Sequence, residues 1–210
     1  NSHQVLTVLA SSNVSVETLQ LLLPGALESH LVSSNAKTGE PSSRLLRQVL
    51  LPELHSDIPE QRVDQAHKAA SALGDEVFTK FPFHLGVEPM ASDPAELILN
   101  RTWRPTVSVT GARGLPSLED AGNVLRPETS IALSVRIAPM ASSSAAALAL
   151  KEALEADPPH GAKVSFEVGQ CAKGWNAPEA AAWLIDASNE ASQMYFERDS
   201  AYMGEGGSIP

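Results

Sequence analysis

The sequence has a single cysteine, few aromatic residues and fewer basic than acidic side chains. Because Cys171 is the only cysteine, an internal disulfide framework is excluded. Lysine and arginine together number 15 against 25 aspartates and glutamates, and the net charge of −10 argues against a nucleic-acid partner. Such a chain has no excess positive charge with which to neutralise phosphates. No apolar run approaches the ~18 residues of a transmembrane helix, so no transmembrane segment is predicted.

Three segments in the second half of the chain alternate apolar and polar residues with a period of two, which is typical of half-buried strands. They are Thr106–Thr110, Ile131–Ala138 and Lys163–Val168, and the alternation places Arg136 on the face away from the core. Ser142 is suited to cap a helix that runs to about Glu155, between the last two strands. The order strand, strand, helix, strand is the second part of a split βαβ arrangement, so a fourth strand and another helix are expected from earlier in the chain.

The remaining segments offer further candidates, with less regular patterns. Two Val- and Leu-rich segments are candidate strands, and an apolar stripe predicts two helices in the first half and one near the end. The candidate strands are Gln4–Ala10 and Thr18–Leu23. The two helices in the first half are Pro41–Leu51 and one that starts at Pro59. The helix near the end is Pro178–Phe196, whose stripe at helical spacing consists of Trp183, Ala187, Ala191 and Met194. Residues 81–94 are interpreted as a proline-punctuated loop.

The chain ends in a glycine-rich tail that contains Gly206, Gly207 and Ser208. Adjacent glycines allow the backbone to take positive φ and to approach another group closely. Their N–H groups, together with the Ser208 hydroxyl, suit a carboxylate or an oxyanion. Because Gly-Gly turns are common, an ordinary turn remains the alternative on spacing alone.

Two segments together carry a family resemblance. The turn Asn123-Val124-Leu125-Arg126-Pro127 precedes the strand with Arg136, and the tail Gly206-Gly207-Ser208-Ile209-Pro210 follows later. In this order they resemble the zinc-dependent aminoacylase/carboxypeptidase family, which includes carnosinase-like dipeptidases and succinyl-diaminopimelate desuccinylase. The resemblance runs from Asn100 to Pro210 and more loosely back to about Ser33.

The resemblance implies a domain organisation. Members of the family have a catalytic domain with two zinc ions and an inserted lid, often used for dimerisation, with an antiparallel sheet and two helices. Residues 1–174 are accordingly predicted as a lid/dimerisation-like domain with a helical insertion near 53–95, and residues 175–210 as part of a catalytic domain. The predicted fold is α/β of the α+β type. It has a four-stranded antiparallel sheet with two helices on one face, as in a ferredoxin-like lid, and extra helices in the insertion and at the C-terminus.

The resemblance also implies substrate-binding residues, because the family uses the Asn turn and the Arg strand to hold a substrate carboxylate or the reacting amide. The candidates in this chain are Asn123, Arg136, Gly206, Gly207 and Ser208. The planar fork of arginine suits bidentate binding of a carboxylate. The alternative is a capped turn at Asn123 and a surface Arg136 paired with an acid such as Glu167.

No catalytic residue and no metal ligand is predicted in this chain. Zinc needs three or four converging ligands, and the family's ligand segments lie outside the matched region. His55-Ser56-Asp57 places a His and an Asp two residues apart, but in family order it follows the first lid helix and is interpreted as a polar loop. No cofactor is therefore expected in this chain, and zinc is expected only if the missing catalytic domain is present.

The family's lid histidine reaches across a dimer to stabilise charge on the scissile carbonyl. When the sequence is aligned on Pro41-Ser42-Ser43, that position falls on Ser33. His30 replaces it only if the loop shifts, and the sequence leaves this question open. Because Ser33 stands where the family has this histidine, stabilisation of the transition state by this chain is in doubt.

Three functions remain open, and whether the chain is an enzyme stays undecided. The first is the lid/dimerisation portion of a zinc-dependent amide or peptide hydrolase, not catalytic as an isolated chain. The second is a pseudoenzyme that serves as a structural or assembly subunit in a larger complex. The third is a small-anion-binding protein that uses Arg136 and the glycine loop. The expected partner is a second copy or a larger protein assembly, and nothing in the sequence indicates a compartment.

Overall fold

A computed structural model of the chain describes residues 3–11, 51–84, 86–125, 127–158 and 161–204. The chain divides into two compact units. The described residues of the first unit come from Asn1–Ser56 and Pro105–Gly174, and those of the second come from Asp57–Arg104 and Trp175–Gly206. The helical insertion and the C-terminal segment therefore share a unit.

The first unit is built on four antiparallel strands in the order β2-β3-β1-β4. The strands are β1 (His3–Ser11), β2 (Thr106–Arg113), β3 (Glu128–Arg136) and β4 (Lys163–Val168). Three of them fall on the segments with period-two alternation, and β1 falls on the Gln4–Ala10 candidate. The predicted mixture of helices and strands in an α+β fold is confirmed.

The core of the first unit lies between one face of β3 and the helix α4 (Ser143–Glu155; helices are numbered here in chain order). Ser142 caps this helix as expected, because its side chain accepts the N–H of Ala145. Apolar residues from both elements fill the interface: Ile131, Leu133, Val135, Ala146, Leu150 and Leu154. Of the other expected helix only Leu51 is described, and it packs on this core. The rest of Pro41–Leu51, and Thr18–Leu23, lie outside the described residues.

Gly114 marks the end of β2, where only a residue without a side chain fits. Its φ is +88°, a conformation that L-residues rarely adopt. A Cβ atom built on Gly114 would lie 2.4 Å from the carbonyl oxygen of Glu128, the first residue of β3. The close approach of these two backbones fixes where the pairing of β2 with β3 stops.

The second unit is helical. Its described helices are α1 (Glu60–Leu73), α2 (Glu76–Thr79), α3 (Pro94–Thr102) and α5 (Ala182–Phe196). The apolar cluster that joins the first three contains Ala66, Ala69, Ala70, Val77, Ala95, Ile98, Leu99 and Trp103. Arg62 of α1 connects the insertion to the C-terminal segment, since it donates to the Asn176 side chain at 3.1 Å and to the carbonyl oxygen of Ala177.

The helices confirm some predictions and correct others. Pro59 immediately precedes α1, as expected. Helix α3 was not predicted, although Asp93-Pro94 is a start signal: the Asp93 side chain accepts the N–H of Ala95, and Pro94 occupies the first turn. Helix α5 begins four residues after the predicted Pro178, and none of its residues is buried. Within the described part of the chain, no helix is long and apolar enough to cross a membrane.

Candidate functional site

Arg136 ends β3 and is exposed, as the alternation predicts. Leu133 and Val135 point to the core, and Arg136 lies on the opposite face of the sheet. In the pairing of the strands Arg136 stands opposite Thr106 of β2 and His3 of β1. Thr106 is also exposed, so the two side chains share the outer face at cross-strand distance, about 5 Å between Cβ atoms.

The register separates Arg136 from Glu167, the acid considered above as its structural partner. Glu167 pairs with Thr7 of β1, and Thr7 pairs with Ala132 of β3. Glu167 is therefore two strands away from Arg136, roughly 10 Å across the sheet, and about 13 Å away along the strand direction. A direct Arg136–Glu167 pair does not fit this arrangement, and Arg136 stays available on the outer face.

Small residues adjoin Arg136 on this face. Ser108 stands opposite Ser134, and Gly111 stands opposite Ala132. Side chains of this size leave the sheet backbone close to the surface. A ligand held by the guanidinium therefore meets no bulky neighbour on β2 or β3.

Asn123 lies on the connection between β2 and β3 and is exposed. The N–H of Val124 donates to the carbonyl oxygen of Gly122 at 3.0 Å, so the backbone turns tightly at Asn123. This connection leaves the sheet at the Glu128 end of β3, whereas Arg136 stands at the other end, about 27 Å along the strand. The two predicted substrate-binding residues are thus not at the same end of the sheet.

The remaining predicted site residues, Gly206, Gly207 and Ser208, lie outside the described residues. The same is true of His30 and Ser33, the two positions that bear on the lid histidine. The chain is described as far as Gly204.

The described residues contain no cluster of three or more His, Cys, Asp or Glu side chains that could hold a metal ion. His55 and Asp57 therefore gain no third ligand within this part of the chain. The described residues, including His55 and Asp57, do not form a zinc site, and no chemical step is assigned to zinc in this part of the chain.

Two glutamates in the described part of the chain have a lowered pKa. Hydrogen bonds from its own backbone N–H and from the Ser117 hydroxyl lower the pKa of Glu119. A hydrogen bond from Lys151, and then one from the N–H of Phe166, lower the pKa of Glu155. Glu119 belongs to the same connection as Asn123, whereas Glu155 ends α4 and bonds to the backbone of β4.

The tryptophans that flank the proposed lid differ in environment. Trp103 is 8% exposed within the apolar cluster of the second unit. Trp175 is 75% exposed. Local sequence shows no difference between them, because burial depends on which helices pack nearby.

Comparison with known proteins tests the family resemblance. No family model and no curated relative matches the chain. Among solved structures, the dipeptidase Dug1p from Saccharomyces cerevisiae matches the whole chain with a TM-score of 0.53 and 18% identity. Human carnosine dipeptidase 1 also matches the whole chain, with a TM-score of 0.55 and 15% identity. The chain therefore shares its fold with these two dipeptidases.

The predicted resemblance is thereby confirmed at the level of the fold. An M20 family metallo-carboxypeptidase from Sulfolobus solfataricus is also similar, with a TM-score of 0.47 and 12% identity over 94% of this chain. The chain spans only 43% of Dug1p and 44% of carnosine dipeptidase 1. It therefore corresponds to less than half of each of these two dipeptidases.

Proposed function

We propose that the chain is the lid/dimerisation portion of a zinc-dependent amide or peptide hydrolase of the aminoacylase/carboxypeptidase family. Residues 1–174 form the lid-like part with its helical insertion, and residues 175–210 return to the catalytic domain. The observation that carries the proposal is the fold shared along the whole chain with two dipeptidases of more than twice its length. As an isolated chain it does not catalyse hydrolysis.

Arg136 binds the carboxylate of the substrate in this proposal. Its guanidinium lies on the outer face, away from Glu167, and small residues adjoin it. A planar guanidinium donates two parallel hydrogen bonds to a carboxylate, which orients the substrate as well as attracting it. Gly206, Gly207 and Ser208 supply further N–H and hydroxyl donors to the same kind of group.

In this proposal, Asn123 and Arg136 of one binding site come from two different copies of the chain. Because Asn123 and Arg136 belong to opposite ends of β3, one small substrate is not held by both residues of one chain. We propose that the protein is a homo-oligomer in which the Asn123 turn of one copy lies at the Arg136 end of another copy, so that the binding site is incomplete in a monomer.

Zinc and the hydrolytic machinery belong to the part of the family fold that this chain does not match. When bound in such enzymes, zinc lowers the pKa of a water molecule and so generates a nucleophile at neutral pH. The contribution of this chain is to bind the substrate and orient it. The candidate donors His55 and Asp57 take no part in this chemistry.

The outer face of α5 supports the assignment of residues 175–210 to a larger domain. Trp183 and Tyr195 are 71% and 75% exposed, and Leu184 and Met194 are exposed beside them. Exposed large apolar side chains in such number on one helix are typical of a surface on which another protein surface packs. In this proposal the remainder of the catalytic domain covers it.

The alternative function is a pseudoenzyme that acts as a structural or assembly subunit. The same exposed face of α5 favours it, because such a face is equally suited to a neighbouring subunit of a complex. The Ser33 position, where the family has its lid histidine, points in the same direction.

The intact mass of the native protein, measured with its zinc content in the same sample, separates the two functions. A longer species with about two zinc ions per chain is expected for the hydrolase. A native chain of 22.2 kDa without zinc, within a larger assembly, supports the pseudoenzyme instead. Tight stoichiometric zinc in the isolated 210-residue chain would contradict both assignments.

A further inference from the structure

Arg136 is the last residue of β3, and it also stands at the end of both pairings that this strand makes. It pairs with His3 of β1 on one side and with Thr106 of β2 on the other. The ends of strands open more readily than their middles, because fewer hydrogen bonds hold them. The position of the guanidinium therefore depends on what supports the backbone just beyond β3.

The backbone beyond Arg136 enters the core of the first unit at once. Ile137 and Ala138 are 3% and 1% exposed, so two buried residues follow the exposed arginine. The N–H of Ala138 donates to the carbonyl oxygen of Leu54 at 2.9 Å, and Leu54 is itself part of this core. This bond holds the chain two residues after Arg136.

Gly174 packs against the next residue of the same segment. It lies in the connection that follows β4 and is the last residue of that part of the first unit. A Cβ atom built on Gly174 would overlap the carbonyl oxygen of Pro139 and lie 2.7 Å from its carbonyl carbon. Backbone atoms cannot rotate out of the way as the end of a long side chain can, so only glycine allows this close approach.

Pro139 makes the contact stiff. Its ring holds φ at about −65°, which limits the directions that its carbonyl group can take. Between Pro139 and Arg136 stand only Ile137 and Ala138, which are packed in the core and have little room to move. A displacement forced on Pro139 is therefore passed along the backbone to the end of β3.

We propose that Gly174 is a positioning residue for Arg136, and that it acts by letting the connection after β4 pack on Pro139. The inference rests on the proposed function, since it takes Arg136 to bind the carboxylate of the substrate. A guanidinium binds a carboxylate through two parallel hydrogen bonds, so a small displacement of the strand end weakens the pair although Arg136 itself is unchanged. All the residues involved belong to the first unit.

The first test is hydrogen exchange in the 210-residue chain. Gly174→Ala adds a methyl group against the backbone of Pro139. Gly122→Ala is the matched control, because Gly122 belongs to the same unit and a Cβ there meets nothing within 4 Å. We expect amide exchange in residues 136–138 to rise about tenfold in Gly174→Ala and to stay unchanged in Gly122→Ala, a difference of about 1.4 kcal/mol. Equal exchange in the two variants overturns the proposal.

Pro139→Ala guards against a variant of Gly174 that fails to fold. It keeps the backbone carbonyl that faces Gly174 and removes the ring that fixes φ. We expect a smaller rise in exchange over residues 136–138. If exchange there does not change, Pro139 does not carry the contact to Arg136 and the proposal fails.

The second test uses the native protein loaded with zinc and separates positioning from a general loss of structure. KM is measured for an unblocked dipeptide and for the same dipeptide with an amidated C-terminus. Gly174→Ala is expected to raise KM severalfold for the free carboxylate and not for the amide, with kcat nearly unchanged. Equal effects on both substrates overturn the positioning role.

A double variant shows whether Gly174 acts through Arg136. Once Arg136→Met has removed the guanidinium, Gly174→Ala should raise KM no further, because residues that act as one unit are not additive. The same rise in KM with and without Arg136 overturns the proposal. A native protein without hydrolase activity contradicts the proposed function, and the exchange experiment then decides by itself whether Gly174 holds the end of β3.

Discussion

The carboxylate of Glu155 accepts a hydrogen bond from the backbone N–H of Phe166 at 2.7 Å, and it thereby links the last turn of α4 to β4. Lys151, one turn earlier in the helix, donates to the same oxygen at 2.7 Å. Since both donors favour the charged carboxylate, they lower its pKa, Lys151 more than Phe166. A helix and an edge strand are joined by one ionised group.

The link makes the stability of the first unit depend on pH. Because the pKa of Glu155 is lower in the folded state than in the unfolded state, its contribution is present above the ordinary glutamate pKa of about 4.3 and is lost as the pH falls through the lowered value. In thermal melts between pH 7 and pH 3, Glu155→Gln should lower Tm at neutral pH, and the gap to the wild type should narrow in acid. Glu152→Gln, an exposed change in the same helix, should leave the profile unchanged. A constant gap across this range would contradict the pKa assignment.

Gly114→Ala should destabilise the first unit more than Gly161→Ala. Both glycines have positive φ, but a Cβ on Gly114 meets the Glu128 carbonyl whereas a Cβ on Gly161 meets nothing within 4 Å. The steric term adds about 1–3 kcal/mol to the free-energy cost of the left-handed conformation. Urea unfolding of both variants measures the difference, and equal losses would show that β2 and β3 do not approach as described.

Leu150→Ala and Leu148→Ala form a matched pair on α4. Leu150 is 3% exposed in the core, and Leu148 is 58% exposed on the same helix. Truncating the buried leucine should lower the free energy of unfolding by about 2–5 kcal/mol. The exposed one should change it by about 0.5 kcal/mol or less. Reversal of this order in denaturant titrations would mean that α4 packs on the sheet with another face.

Two tryptophans of the second unit test whether α5 lacks a covering surface in this chain. Trp103→Ala, in the apolar cluster, should cost about 3–5 kcal/mol in the 210-residue chain. Trp183→Ala, on the exposed face of α5, should change the free energy of unfolding by about 0.5 kcal/mol or less there. For a longer native protein, the proposed function predicts that the Trp183 substitution becomes costly, because a catalytic domain would then cover the helix. A small cost in both proteins would leave the α5 face without a partner.

The proposed function predicts that Arg136→Met raises KM for a substrate with a free carboxylate by about tenfold to a hundredfold, because a charge-assisted hydrogen-bonded pair is lost. Arg113→Met is the control, because Arg113 lies on β2 at the other end of the sheet, within 3.8 Å of Glu128. Its kinetics should match those of the wild type. Similar KM values for wild type and Arg136→Met would remove Arg136 from the substrate site.

The local signals in the sequence were sufficient for most elements. Period-two alternation located β2, β3 and β4, and Ser142 located the start of α4, because both signals depend on residues within a few positions of one another. The Asp93-Pro94 start of α3 was also a local signal, and it was missed within a proline-punctuated loop. The apolar stripe of α5 is evident in the sequence, but no local pattern indicates that Trp183 and Met194 are exposed in this chain.

The sequence by itself determined the α+β class, the strand that carries Arg136 and the face on which Arg136 lies. Those features follow from side-chain alternation, which is a property of a single strand. Only the tertiary structure decided that β1 pairs between β3 and β4, that Thr106 rather than Glu167 neighbours Arg136, and that Asn123 belongs to the opposite end of β3. The physical reason is that strand register is fixed by pairing between segments that are distant in the sequence, 30 residues apart for Thr106 and Arg136 and 133 residues apart for His3 and Arg136. The alternation within one strand does not specify which segment pairs with it.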